Sequence, residues 1–445
     1  MQPVIVWIRN DLRLEDNPAL ARAAETGCPV VALYIWSETT LYPLGSRSRA
    51  WLGRALASFK EQLKEIGIEL VVRQGEALKV LEQVLDETKA KTVFWNRRYE
   101  PDLAKLDSDI QSNLSKVSVK TFHGNILFEP GVVLNRQNKP FQVFTPFYKH
   151  LLLLEPDKPV GIPRCTRYTG ALRSDTLDLP DEPRLWNYWR PTEQAAHDCL
   201  KQFIKERLDS YEQMRDYPAL IGTSKLSPYL HFGQISVRWL WYQVQRHGGE
   251  GYLREIAWRE FAMHLLHHYP DMPKKPLDAR FLRFPWKYDE ALLKAWQEGK
   301  TGYPIVDAGM RELEQTGWMH NRVRMIVASF LVKHLLLSWK EGEAWFWDKL
   351  VDADLANNSM GWQWVAGCGA DAAPYFRIFN PILQGQKFDP DGIYVKRFVP
   401  ELEDVDPKYI HTPWLAPRKS FTYVAPIVDH TTARDLALKA FAAIK

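Results

Sequence analysis

Cysteine is scarce: Cys28, Cys165, Cys199 and Cys368 are the only four in 445 residues, and no two stand as CxxC. Such spacing offers neither a zinc-ligand set nor a disulfide framework, so no metal site is expected and a reducing compartment fits. Long apolar runs are missing too. Leu151 to Leu154, among the longest, falls far short of the roughly 20 residues a membrane helix needs. The amino terminus has no basic leader before an apolar core; Met-Gln-Pro leads straight into Val4 to Ile8, which reads as a buried strand. These absences make the cytoplasm the expected location, with no membrane contact. Nor does charge of one sign dominate, since 58 Lys and Arg against 54 Asp and Glu leave a net +4. That is a weak pointer to nucleic acid and requires the positive charge to gather on one face.

The common catalytic strings are absent as well. Gly299-Lys300-Thr301 has the end of a phosphate-binding loop, but position 294 is Lys where that loop needs Gly. No GxGxxG follows the first strand, and neither HExxH nor GxSxG occurs. His264, His267 and His268 cluster, but in a context that suggests a wet helix face more than a metal site.

What is present has a clear order. Short apolar runs at Val4 to Ile8, Val30 to Trp36, Glu69 to Arg73, Thr92 to Asn96 and Val117 to Phe122 alternate with amphipathic stretches. Those stretches begin at Asn17-Pro18 and continue over Ser48 to Ile66, Leu78 to Thr88 and Leu103 to Leu114. This alternation predicts an α/β domain over residues 1–128 with a doubly wound parallel sheet. Residues 129–195 are rich in proline without sustained periodicity, and predict an ordered connector along the surface. Residues 196–445 predict a mainly helical domain, with helices over Glu193 to Tyr211, Val237 to Arg246, Tyr252 to Tyr269, Glu290 to Glu298, Ile305 to Thr316 and Arg322 to Ser338.

Three groups of residues in the helical half have chemical potential. Glu255, Trp258 and Arg259 share one helix face, as an exposed ion pair beside a tryptophan would also do. Asn321, Arg324 and Met325 share another face. The stretch Asp352-Ala353-Asp354 to Asn358, followed by Trp362 and Trp364, gathers donors and acceptors suited to a planar polar ring, or forms an Asx-rich capping loop. Tyr211, Arg215 and the Gly222 to Ser227 string present hydroxyls and backbone N–H groups to a phosphate, or form a plain helix cap. Spacing does not separate these alternatives. The eighteen tryptophans, many in polar surroundings, are the most unusual feature of the composition.

The strings Trp7 to Arg13, Trp258-Arg259-Glu260-Phe261, Thr301 to Ala308 and Arg377-Ile378-Phe379-Asn380-Pro381 resemble the photolyase and cryptochrome family. The likeness runs over nearly the whole chain and is nearest to class I cyclobutane pyrimidine dimer photolyases. It implies an antenna domain, a linker, and a helical domain that binds FAD and ultraviolet-damaged double-stranded DNA. By that resemblance Tyr211 and the loop Thr223, Ser224, Lys225, Leu226 and Ser227 meet the cofactor's diphosphate and ribityl chain. Arg324 and Asp352 form an ion pair over the flavin, Asp354 meets its polar edge, and Asn358 faces N5, where similar plant cryptochromes have aspartate. Glu255 matches the acid at the thymine carbonyls, where similar (6-4) photolyases have glutamine. Trp258 and Trp364 match the walls of the dimer pocket. Arg215, Asn321, Arg322, Met325 and Gln384 match positions in the pocket or on the damaged strand. Trp362, Trp339 and Trp286 match the tryptophan chain that reduces the flavin in light.

The resemblance thus implies dimer cleavage by an electron from excited reduced FAD in a monomeric enzyme. Asn96 to Pro101 resembles an antenna-pocket edge, for a deazaflavin or methenyltetrahydrofolate. A cryptochrome-like photoreceptor and a flavin oxidoreductase without a DNA role are the competing readings. An end near Lys445, with no long extension, counts against signalling.

Overall fold

The computed structural model describes residues 1–38, 40–372, 376–417 and 422–445. The chain opens with β1 (Val4–Ile8), α1 (Pro18–Glu25), β2 (Pro29–Trp36), α2 (Ser46–Glu65), β3 (Leu70–Gln74), α3 (Ala77–Thr88), β4 (Thr92–Asn96), α4 (Pro101–Asn113) and β5 (Ser118–Phe122). All five strands run parallel in the order β3-β2-β1-β4-β5, with Val6 paired to Ala32 on one side and Phe94 on the other. A two-residue strand, β6 (Thr166–Arg167), pairs with Pro29 and Val30, the part of β2 that lies ahead of its register with β3. Strand order reverses between β1 and β4, as a doubly wound sheet requires. Every residue of β1 is buried, because helices cover both faces of a central parallel strand.

The helices after the sheet are α5 (Phe144–Leu151), α6 (Glu193–Glu206), α7 (Tyr211–Met214), α8 (Ser227–His231), α9 (Val237–Gln245) and α10 (Glu250–His268). They continue with α11 (Glu290–Gln297), α12 (Pro304–Thr316), α13 (Asn321–Ser329), α14 (Trp339–Lys349), α15 (Leu355–Ala366), α16 (Pro381–Phe388), α17 (Ile393–Phe398) and α18 (His430–Ala442). Several start on side-chain caps that the sequence supplies: Asp354 Oδ1 accepts from Asn357 N at 2.8 Å, and Asp429 Oδ1 from Thr432 N at 2.9 Å.

Two compact units result. The first contains residues 1–182, 189–206 and 224–270; the second contains 183–188, 207–223 and 271–445. In the first unit, the core of one sheet face joins Ile5, Trp7, Val31 and Val93 to Leu81, Val84 and Ile110 of α3 and α4. In the second, one large core runs through α12 to α15 and takes in Trp296, Trp339, Phe346 and Trp362. Among the described residues no helix is long and apolar enough to cross a membrane.

Three expectations meet a different structure. The connector contains a regular helix, α5, and a 3-10 turn at Pro183–Asn187. The helix foreseen to Tyr211 stops at Glu206, and a separate turn, α7, begins at Tyr211. The helix foreseen from Arg322 to Ser338 leaves α-geometry at Ser329 for a π-turn over Phe330–His334 and ends where Leu336 takes a φ of 55°. That conformation disfavours any residue with a Cβ, and its appearance ends the helix.

Candidate functional site

In the second unit, α13 and the turn that leads into α15 bring together the second of the expected groups. Arg324 Nη2 reaches Asp352 Oδ2 at 2.8 Å and Oδ1 at 3.1 Å, while Nε donates to the Met319 carbonyl at 2.8 Å. The Asp352 side chain is only 2% exposed and that of Arg324 24%, so the pair sits at the rim of the core. On α15, residues 354, 358 and 362 follow one another at four-residue spacing and share a face. Asp354 caps the helix with Oδ1, which also accepts from Asn357 Nδ2 at 2.6 Å. Asn358 Nδ2 donates to the Glu343 carbonyl at 3.0 Å, which orients the amide.

This arrangement leaves hydrogen-bonding capacity open. Among the described residues, Arg324 Nη1, Asp354 Oδ2 and Asn358 Oδ1 have no hydrogen-bond partner. One donor and two acceptors, all on half-buried side chains, suit a planar heterocycle that carries both N–H and carbonyl groups. An isoalloxazine ring is of that kind, so the residues present fit FAD.

The three tryptophans of the expected electron path lie in one core. Trp362 and Trp339 are each 3% exposed, and Trp286 is half-buried against the same cluster. A bridge between Lys287 and Leu337, closed by Lys287 N donating to the Leu336 carbonyl at 2.8 Å, sets the Trp286 strand beside the start of α14. Trp362 packs edge-on to Phe346, with ring centroids 5.0 Å apart, and lies against Gly342 so closely that any Cβ there would run into its ring. Gly342 and Glu343 gave no signal in the sequence. Glu343 is buried, accepts from Ser359 Oγ at 2.5 Å and pairs with Lys340; burial raises its pKa.

Other expected residues of this unit spread over α7, α13, α15 and α16. Arg215 lies over the Tyr211 ring at 5.3 Å. Arg322 pairs with Asp216 at 2.8 Å and covers the Phe388 ring at 4.5 Å. Asn321 is exposed; Met325, Trp364, Gln384 and Thr223 are half-buried, with Arg377 over Trp364 at 5.7 Å.

The first unit holds Ser224 to Ser227 together with Glu255 and Trp258. Ser224 Oγ is shared with Tyr252 Oη at 2.8 Å, and Lys225 takes a φ of 55°, so the loop turns sharply into α8. Lys225 and Ser227 remain exposed, Leu226 is buried, and Ser227 is the first residue of α8. On α10, Glu255 and Trp258 are half-buried, whereas Arg259 reaches Glu260 at 3.2 Å and the Asn125 carbonyl at 3.2 Å. Glu260 is enclosed, accepts from Leu127 N at 2.7 Å, and is raised by burial to about 7. His264 is not on a wet face: it is 2% exposed, its Nε2 accepts from Phe141 N at 3.1 Å, and burial lowers its pKa to about 4. His268 Nε2 also donates to the Pro130 carbonyl of the connector at 3.3 Å, whereas His267 is exposed, as a wet face requires.

Comparison with known proteins agrees with both halves. Residues 4–163 match the family described as DNA photolyase, and residues 252–443 match the FAD binding domain of DNA photolyase. The chain is 46% identical to a deoxyribodipyrimidine photo-lyase of Agrobacterium fabrum, with 100% of this chain and 98% of that one covered. It is 40% identical to the enzyme of that name in Escherichia coli, over 99% and 98%, and 37% identical to Cryptochrome-2 of Arabidopsis thaliana, over 98% and 78%. A crystal structure described as a bacterial class III photolyase from Agrobacterium tumefaciens superposes with a TM-score of 0.96 at 46% identity, covering 100% of this chain and 98% of that one. The chain belongs to the photolyase and cryptochrome family. Its nearness to class I in particular is not carried by these relatives, since that neighbour is described as class III.

Proposed function

We propose that this chain is a deoxyribodipyrimidine photo-lyase that repairs cyclobutane pyrimidine dimers in ultraviolet-damaged duplex DNA. The observation that carries the reading is the set of open polar atoms around the Arg324–Asp352 pair, within the span that matches a photolyase FAD-binding domain. Reduced FAD, when bound and excited by light, supplies an electron that opens the cyclobutane ring and then returns. In this reading Asp354 and Asn358 accept from the ring's N–H groups, Arg324 faces its oxygens, and Tyr211 with Thr223 to Ser227 holds the diphosphate and ribityl chain. Neither a nucleophile nor a general base is needed, so the protein contributes position, dryness and a preset field.

The dimer reaches such a site only by leaving the duplex, and an already distorted base pair costs less to unstack. Trp258 and Trp364 offset that cost by about 1–3 kcal/mol per stacked base. Arg215, Asn321, Arg322, Met325 and Gln384 contact the strand or line the pocket. Glu255 hydrogen-bonds the pyrimidine carbonyl edge, which favours cyclobutane dimers over (6-4) products. Trp362, Trp339 and Trp286 would relay electrons from an external reductant toward an oxidised flavin. A second, antenna chromophore, a deazaflavin or methenyltetrahydrofolate, completes the reading.

The test uses holoprotein with its flavin reduced and a duplex that carries one thymine dimer. Blue or near-ultraviolet light should restore two thymines, and darkness should restore none. An unchanged dimer after illumination, with the flavin verified as reduced, overturns the assignment in favour of a photoreceptor.

A further inference from the structure

Phe144 lies in the connector, outside every group of residues assigned above. It is 1% exposed, and its ring lies flat on that of Trp258 with centroids 3.7 Å apart and planes 7° apart. Phe261 meets the edge of the same indole at 5.8 Å and 73°. Behind Phe144, Tyr148 stacks at 5.6 Å and 9°, and the Arg254 guanidinium lies 5.7 Å over the Phe144 ring. Trp258 is therefore held on one face and one edge, and it is still only half-buried. Two enclosed aromatics in contact are ordinary packing. A stack with one partner sealed in the core and the other half-exposed is a backed platform.

The backing is itself anchored. The chain that leads into α5 is tied to α10 by Leu127 N on Glu260 at 2.7 Å, Arg259 on the Asn125 carbonyl at 3.2 Å and Phe141 N on His264 Nε2 at 3.1 Å. Gln142 Nε2 adds a bond to Tyr269 Oη at 2.5 Å. Phe144 is thus delivered to Trp258 by the same helix that carries Trp258.

We propose that Phe144 is a positioning residue: it fixes the plane of Trp258 so that the other face of the indole accepts a flat, extruded pyrimidine. This rests on the functional reading given above. The phenyl ring blocks rotation of the indole about its side-chain bonds, so a base that stacks there meets a surface already in place. Phe144 touches neither substrate nor cofactor and acts only through Trp258.

The dissociation constant of the holoprotein is measured in the dark for a duplex with one thymine dimer and for the same duplex undamaged. Phe144→Leu is expected to weaken dimer binding about three- to tenfold, the range of one aromatic pair, and to leave undamaged DNA and flavin content unchanged. Phe144→Tyr should restore the affinity, and in a Trp258→Ala background Phe144→Leu should have no further effect. Phe144→Met serves if the leucine variant does not fold. An unchanged dimer affinity, equal weakening on both duplexes, or an undiminished effect without Trp258 overturns the proposal. Wild-type protein that binds both duplexes alike overturns the functional reading instead. A DNA-free arm then decides the geometry: the 5-fluorotryptophan signal that disappears in Trp258→Phe should shift in Phe144→Leu and return in Phe144→Tyr. A signal that stays in place removes the positioning role.

Discussion

Two arginine–aspartate pairs, one in each unit, share a chemistry and differ in what surrounds them. In the first unit Arg238 meets Asp16 through Nη2 at 2.7 Å and Nε at 3.1 Å, with side chains 4% and 0% exposed. Val160 N adds a bond to Asp16 Oδ1 at 3.0 Å, and Ser236 Oγ bonds Oδ2, so each oxygen has two donors. In the second unit both oxygens of Asp352 take their bonds from the single Nη2 of Arg324, and among the described residues Asp354 Oδ2 and Asn358 Oδ1 have no partner. Saturated polar atoms hold a fold together, whereas polar atoms left open on a prearranged frame await a ligand.

The sharpest way to break this contrast is Asp16→Ala. Removal of one partner strands a buried guanidinium, for an expected loss of about 3–5 kcal/mol in unfolding free energy. Asp16 also has a φ of 52°, a conformation alanine tolerates poorly, so the variant is expected near the limit of folding. Chemical denaturation checks this, and a loss below about 1 kcal/mol would make the Asp16 network no more structural than a surface pair.

A smaller effect comes from acid. His264 in the first unit is lowered to about 4 and His334 in the second to about 3, both by burial, from the usual 6.5. Folded protein therefore binds fewer protons than unfolded protein below pH 6.5, and stability present above that value drains away as pH falls toward 4. The expected loss is on the order of 1–2 kcal/mol per histidine between about pH 6.5 and 5. Glu260, raised to about 7, acts in the opposite sense, because it favours the folded state as pH falls from 7 toward 4.5. His264→Gln keeps an acceptor for Phe141 N and should flatten the acid limb; an unaltered slope would place the acid sensitivity elsewhere.

The units also differ in how far they could be read from sequence. Strands such as Val4–Ile8 and Thr92–Asn96 were legible to the residue, because a parallel strand buried on both faces is a short apolar run between polar ends. The helix α15 was not, since its buried stripe includes Ser359 and Gln363, whose polar groups are satisfied by Glu343, Met272, Lys275 and Leu277. Polar residues in a core stripe erase the period that marks a helix. Phe144 escaped notice for a related reason: eight residues of α5 among prolines are too few to establish a period. The ion pair of Arg324 and Asp352, by contrast, was foreseen through family resemblance, which encodes contacts between residues far apart in the chain.

The finest test of the contrast is Asn358→Ala. Asn358 sits half-buried on α15 and, among the described residues, makes a single side-chain bond, to the Glu343 carbonyl at 3.0 Å, so the flavin-free protein should lose no more than about 1 kcal/mol. If its open oxygen serves a ligand, flavin affinity should fall about three- to tenfold, the loss of one hydrogen bond. The two numbers must diverge for the contrast to stand. Equal losses in stability and in flavin affinity would mean that Asn358 only packs α15 against α14. A fall in affinity with stability preserved would assign that oxygen to the flavin, and Asn358→Asp should then alter the flavin's reduction potential by placing a charge where an amide stood.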